Sequence, residues 1–197
     1  MTARLILASG SQIRQQILRD AGIAFEIVKS NVDEDELKQA NPALTPAAMA
    51  LLLAKAKASQ VSSTHPDQFV LGADQSMELD GDLLDKLPRR DLARARLLAM
   101  RGKAHQLHSG LALVRGGELV WEHQQASTLH VRPFSDAFLD TYLETAGDEL
   151  TASVGAYAFE GLGAQLFERV DGEFHAVLGL PLLPLLAALR ELRVTPS

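Results

Sequence analysis

Residues 9–14 read Ser-Gly-Ser-Gln-Ile-Arg and follow the apolar run Leu5-Ile-Leu-Ala8. A strand that ends in Ser-Gly-Ser and turns at once into a helix is a physical recipe for anion binding. The first N–H groups of a helix have no intrahelical partner, and the helix dipole favours negative charge there. Ser9 and Ser11 add hydroxyl donors. Arg14 falls in the first turn, where the dipole disfavours a cation, so a bound phosphate would compensate it. The plainer reading makes Ser11 an N-cap and Arg14 a surface residue. Asp74 directly follows a second apolar strand, Gln68–Ala73. A carboxylate at a strand's C-terminal end lies where ligands bind in α/β sheets, and it suits a divalent cation or the orientation of a water. The alternative is a turn aspartate. The acidic stretch Asp33–Glu36 offers oxygen ligands for Mg²⁺, or a solvated loop. Lys57 and Lys86 are candidate phosphate partners, or ordinary surface charges. Gly155-Ala-Tyr-Ala-Phe-Glu-Gly-Leu-Gly163 places aromatics beside Glu160, a pattern suited to stacking on a purine and reading its N–H edge, or to a tight turn.

Several chemistries are excluded. The chain has 197 residues and no cysteine, which removes thiol catalysis, iron–sulfur clusters and Cys-ligated zinc. His105 and His108 are three apart on a strand candidate, hence on opposite faces, and there is no His-Glu-x-x-His. No Gly-x-Ser-x-Gly elbow, Walker loop or Rossmann glycine pattern is present. Lys and Arg number 19 against 25 Asp and Glu, a net charge of −6, which argues against non-specific binding to DNA or a membrane surface. The longest apolar run, Val177–Leu189, is short and carries Pro181 and Pro184, so it reads as a core element. The expectation is a cytoplasmic chain, without a membrane or polymeric nucleic-acid partner, folded as one domain over 1–197 or as two small lobes sharing a core.

The elements that must position these residues follow from pattern. Leu5–Ala8 is a buried strand. A helix starts at Gln12, with Ile13, Ile17 and Leu18 on one face and Gly22 as its stop. Ile23–Val28 is a second strand, and Asn31–Glu36 an acidic loop. Thr45-Pro46 starts the helix Ala47–Ser59. After the strand Gln68–Ala73, Asp80-Gly81 marks a hairpin within Ser76–Leu84. The helix Asp91–Met100 turns Leu92, Ala95, Leu98 and Ala99 to the core and stops at Gly102. Gly116-Gly117 joins the strands His105–Arg115 and Glu118–His123, and Ser127–Arg132 is a further strand. Ser135 caps a helix to Thr145, stopped by Gly147. Ala164–Val170 is a strand, and Pro181–Leu192 the final helix. Strands and helices intermix, with hairpins in the second half, which predicts an α/β or α+β fold with a mixed, curved sheet.

Taken together these pieces resemble the Maf family of nucleoside triphosphate pyrophosphatases. The resemblance rests on Leu7-Ala8-Ser9-Gly10-Ser11-Gln12-Ile13-Arg14, Phe25-Glu26, Val32-Asp33-Glu34, Leu53-Ala54-Lys55-Ala56-Lys57-Ala58, Gly72-Ala73-Asp74, Lys86, residues 109–113, Gly161-Leu-Gly163 and Val177-Leu-Gly-Leu-Pro181. Their order spans nearly the whole chain. Many members have Pro-Arg-Arg where this chain has Gln12-Ile13-Arg14, Asp-Thr where it has Asp74-Gln75, and a lysine and a glutamine where it has Ser153 and Glu160. These departures are similar to the branch that hydrolyses 7-methyl-GTP. The resemblance implies an elongated, two-lobed Maf/ITPase-like α/β fold with a central cleft. It implies Asp74, Lys57 and Lys86 as catalytic residues, with Ser9, Ser11, Arg14, Gln75 and Glu160 binding substrate. It implies Glu34 and Asp74 as ligands of a divalent cation, Mg²⁺ or Mn²⁺, a nucleoside triphosphate as partner, and a possible homodimer. Two other readings compete: a nucleotide-binding regulator of cell division with weak catalysis, and a hydrolase of phosphate monoesters.

Overall fold

The computed structural model describes residues 5–196. Seven strands form one mixed sheet: β1 (Leu5–Leu7), β2 (Phe25–Ile27), β3 (Phe69–Leu79), β4 (Asp82–Leu84), β5 (Ala104–Arg115), β6 (Glu118–Val131) and β7 (Phe167–Asp171). The order is β2-β1-β3-β5-β6-β7, with β4 paired to β3. The helices are α1 (Gln12–Asp20), α2 (Glu34–Ala40), α3 (Pro46–Ser62), α4 (Ala93–Met100), α5 (Asp136–Thr145), α6 (Glu149–Ala152), α7 (Phe174–Val177) and α8 (Leu182–Glu191). No helix among the described residues is long and apolar enough to cross a membrane. The mixed α/β architecture is the one expected from the sequence.

The chain divides into two compact units. The first holds Met1–Gln75, His108–Gln125 and Glu173–Ser197, and the second Ser76–Leu107 and Ala126–Gly172. In the first unit, β1 and β3 are buried on both faces. Leu5, Leu7, Phe69, Leu71, Leu111 and Leu113 pack with Ile17 and Leu18 of α1 and Leu185 and Leu189 of α8. Ile6, Ala8, Val70, Ala112 and Val114 face the other way, onto Ala54, Ala58 and Val61 of α3. Burial on both faces is why these strands read as continuous apolar runs without alternation. Gly72 and Gly110 let α3 approach the sheet backbone: a Cβ at Gly72 would lie 1.9 Å from the Ala54 carbonyl oxygen, and one at Gly110 2.6 Å from that of Ala50. In the second unit, Tyr157 meets Phe167 edge-on with ring centres 4.8 Å apart, and Tyr142, Leu139 and Leu150 are buried.

Five expectations are corrected. The acidic loop is the start of a helix: Asp33 caps α2 by accepting from the Glu36 N–H at 2.9 Å, and Glu34, Asp35 and Glu36 fill the first turn, where the dipole favours carboxylates. β3 does not end before Asp74 but runs on to Leu79, so Asp74 is a strand residue, because β4 pairs with the extension through Met77–Leu79. α4 buries Ala93, Leu97 and Met100, whereas Leu92, Ala95 and Ala99 are exposed. The short 3₁₀ turn Arg90–Leu92 ahead of α4 shifts the helical phase by a residue or two. β6 absorbs Ser127–Val131 into one long strand, while residues 162–166 form a 3₁₀ turn ahead of β7.

Candidate active site

In the first unit β1 and β2 end side by side, while the third parallel strand, β3, runs on past them. Leu7 of β1 is in register with Ile27 of β2 and Leu71 of β3. The Val28 N–H donates to the Leu7 carbonyl at 3.2 Å and the Ala8 N–H to that of Leu71 at 2.8 Å. These ends deliver Ser9 from β1, Lys29 from β2 and, further along β3, Asp74. Ser9 is buried, and its hydroxyl oxygen accepts from the Ser11 N–H and from Arg14 Nη1, both at 3.3 Å. Ser11 is the α1 N-cap and accepts from the Arg14 N–H. Each serine oxygen is thus engaged by protein donors, which leaves each hydroxyl proton for another acceptor.

Arg14 does not extend into solvent. Its Nε donates to the Gly179 carbonyl at 2.9 Å and its Nη1 to that of Ala73 at 3.1 Å. Desolvation lowers its pKa from the usual arginine value, opposed by the attraction of Asp74 and Glu34. An arginine side chain remains charged under such a shift. Lys57 lies on the sheet-facing side of α3 with Leu53, Ala54, Ala58 and Val61, all buried. Its ammonium reaches Asp74 Oδ1 at 2.6 Å and Glu34 Oε1 at 2.7 Å. Lys55, two residues earlier, points the other way and pairs with Glu122. Asp74 and Lys57 are both less than a tenth exposed. Their pairing therefore sits in a poorly solvated place, where electrostatic interactions are strong.

Gln75 is more constrained than the sequence suggests. Its Nε2 donates to the Ala176 carbonyl at 2.9 Å, the Val177 carbonyl at 3.2 Å and Ser109 Oγ at 3.1 Å. The Ser109 hydroxyl in turn donates to the Ala176 carbonyl at 3.0 Å, so its oxygen is left as an acceptor. This network ties β3 to the C-terminal end of α7, two residues before Gly179, whose carbonyl holds Arg14. Only Gln75 Oε1 remains for a ligand.

Lys86 and Glu160 belong to the second unit. Lys86 is exposed on the loop after β4. Glu160 is exposed in the turn ahead of residues 162–166, and no described residue bonds its carboxylate. The loop that carries Glu160 is firmly built. Ser153 Oγ donates to the Tyr157 carbonyl at 2.6 Å and accepts from the Tyr157 N–H at 3.0 Å. Tyr142 Oη donates to the Ala156 carbonyl at 3.1 Å, and Tyr157 Oη meets His105 Nε2 at 2.7 Å. Burial drives the His105 pKa down to about 4 and both tyrosine pKa values up. A Cβ on Gly155 would strike the Tyr157 ring at 2.1 Å, which is why a glycine stands there.

Among the described residues, no group of three or more His, Cys, Asp or Glu is arranged to hold a metal ion. Glu34 and Asp74 come from different elements and both meet the Lys57 ammonium. Two carboxylates suit a hard divalent cation that takes its other ligands from water and substrate phosphates. By residue type this pair would suit Mg²⁺ or Mn²⁺. Lys29, which sequence spacing does not single out, lays its side chain across Gly10 of the Ser9-Gly10-Ser11 turn. The parallel register of β2 on β1 would have revealed it, and register between strands distant in sequence is not written in either strand alone.

A profile of Maf-like proteins matches residues 4–192. A "Nucleoside triphosphate pyrophosphatase" from Maricaulis maris is 68% identical over 188 residues, covering 95% of this chain and 96% of its own. A "7-methyl-GTP pyrophosphatase" from Rhizobium meliloti is 44% identical over 194 residues, covering 98% of each. Among solved structures, a dITP/XTP pyrophosphatase from Mycobacterium abscessus covers 66% of this chain and 75% of its own at 15% identity, with a TM-score of 0.36, too slight a likeness to bear on the site. Neither curated relative is named for a role in cell division, and that reading is set aside. With the whole set of motifs in one ordered match, the chain belongs to the Maf family.

Proposed function

We propose that this chain hydrolyses the α–β phosphoanhydride of nucleoside triphosphates to a monophosphate and pyrophosphate, with 7-methyl-GTP-like nucleotides preferred. The observation that carries the reaction is the poorly solvated Lys57–Asp74–Glu34 cluster beside the Ser9–Arg14 turn. Asp74 takes a proton from the attacking water. The water oxygen bonds the α-phosphorus as the bond to the β-phosphate oxygen breaks, and pyrophosphate leaves. The hydroxyls of Ser9 and Ser11 donate to phosphate oxygens, while Arg14 and Lys57 stabilise the negative charge that develops there. Lys86 is a further phosphate ligand, and Gln75 Oε1 faces the substrate. Glu34 and Asp74 would hold the divalent cation, which when bound neutralises charge on the phosphate oxygens.

The preference rests on Glu160. A carboxylate accepts from guanine N1–H and the 2-amino group, and it faces the positive charge of a 7-methylated ring favourably. The relatives named 7-methyl-GTP pyrophosphatase support the same substrate. Such an activity clears modified nucleotides from the pool, a house-cleaning role. The test is incubation of the purified protein with Mg²⁺ and 7-methyl-GTP, GTP, dTTP or UTP, followed by product identification. Monophosphate with pyrophosphate, fastest from 7-methyl-GTP, is the expected result. Free phosphate as the first product would indicate a monoesterase instead. Equal rates on all four nucleotides would remove Glu160 from base selection.

A further inference from the structure

We infer that Lys29 is a phosphate-binding residue of this site, the cation that gives the serine turn its net positive charge. The inference rests on the reading of the site as one for a nucleoside triphosphate. The two cations that the first unit brings to the site are already engaged. Arg14 donates to two backbone carbonyls and to Ser9 Oγ. Lys57 stands between Asp74 and Glu34. Two cations against two carboxylates leave that cluster formally neutral, whereas a triphosphate brings several negative charges. The divalent cation and Lys86 would offset part of that charge, and a cation at the turn itself would meet phosphate oxygens held by the two serines.

Lys29 meets the geometric requirement. It lies two residues past the end of β2, and β2 runs parallel to β1 with Leu7 opposite Ile27, so Lys29 emerges beside the strand end that leads into Ser9. Its side chain lies across Gly10: measured from where a Gly10 Cβ would stand, Lys29 Cε is at 3.1 Å, Cδ at 3.4 Å and Nζ at 3.6 Å. The ammonium therefore rests on the turn between the two serines. Lys29 is exposed, and no described residue forms an ion pair or hydrogen bond with it. A carboxylate does not claim it, as one claims Lys57. Gly10 gives this arrangement its reason, because a methyl group there would press on the lysine stem. The remaining lysine of the sequence reading, Lys86, sits in the other unit.

The experiment compares Lys29→Gln, Lys29→Arg and Gly10→Ala with the wild type. It reads the Kd of a non-hydrolysable α,β-methylene GTP analogue in Mg²⁺ and the Ki of pyrophosphate, each at two salt concentrations. Lys29→Gln should weaken both by roughly tenfold and flatten the salt dependence, the loss expected for one charge-assisted contact at a partly solvated site. Lys29→Arg should stay within about threefold of the wild type, since it keeps the charge. Gly10→Ala should weaken binding and add less on top of Lys29→Gln than it costs alone, since both remove one contact. The melting temperature of Lys29→Gln should be unchanged, because the residue is exposed. Unaltered analogue and pyrophosphate binding in Lys29→Gln, or a Lys29→Arg protein as weak as Lys29→Gln, would overturn the role. A wild type that neither binds the analogue nor releases pyrophosphate would overturn the nucleotide reading itself, and Lys29's role with it.

Discussion

At the residue scale, one ammonium holds two carboxylates that come from different elements. Lys57 lies 2.6 Å from Asp74 and 2.7 Å from Glu34, and Asp74 is almost fully buried. Removing one partner of a buried pair leaves an uncompensated charge, which costs about 3 kcal/mol or more when burial is complete. Lys57→Met should therefore lower stability as well as turnover, with the stability loss read from urea denaturation. It should be smaller than that figure, because Glu34 is only half-buried. Asp74→Asn keeps a hydrogen-bonding oxygen toward Lys57, which also retains Glu34, so its stability loss should be smaller than that of Lys57→Met. Its kcat should fall by about 10²–10⁴, the usual contribution of a positioned general base. Retained turnover would take Asp74 out of the proton transfer. Glu160 is exposed and bonded to no described residue, so Glu160→Gln should leave stability alone. The ratio of kcat/KM for 7-methyl-GTP over GTP should fall roughly tenfold with the loss of a charge-assisted contact.

At the scale of elements, the site depends on how close α3 can come to the sheet. Lys57 reaches Asp74 because Gly72 and Gly110 admit the helix backbone. Gly72→Ala places a methyl carbon 1.9 Å from the Ala54 carbonyl oxygen, a position no rotamer change can relieve. Either strand or helix must move, at a cost of about 3 kcal/mol or more for a rigid overpacked core. The variant should melt well below the wild type, and the fraction that remains folded should turn over slowly, since Lys57 moves with α3. Gly22→Ala, by contrast, meets no atom within 4 Å and pays only for its positive φ. Thermal melts of the pair separate crowding from backbone strain.

At the scale of the whole molecule, the chain carries a net charge of −6, so any attraction for a nucleotide must come from a few local cations. Stability should also carry a pH signature. His105 is buried beside Tyr157 and Phe167, and desolvation, with a smaller push from His130, lowers its pKa from 6.5 to about 4. The unfolded chain then binds a proton that the native protein refuses. The contribution of neutral His105 is complete above pH 6.5 and is lost as pH falls toward about 4, a span worth about 3 kcal/mol. His105→Phe should flatten the fall in urea-denaturation stability across that window, and an unchanged slope would show that other groups set it.

Much of this was legible in residues 9–14, Asp74, Lys57 and the glycine-bracketed loop around Glu160. Their chemistry depends on local order, and serine before a helix, proline after threonine and paired glycines between apolar runs act within a few residues. The acidic stretch at Asp33–Glu36 was ambiguous because the same carboxylates suit a loop and the first turn of a helix. The phase of α4 was misread because alanine, arginine and leucine alternate there without a clear face, and tertiary packing chose Leu97 over Leu98. What only the tertiary structure decided were relations between residues far apart in the chain. These are Lys57 with Glu34 and Asp74, Arg14 with the Gly179 carbonyl, Gln75 with the C-terminal end of α7, and Lys29 over Gly10. Each depends on strand register and on the distance at which a helix packs. Those are set by the summed fit of two buried sheet faces and not by any segment alone.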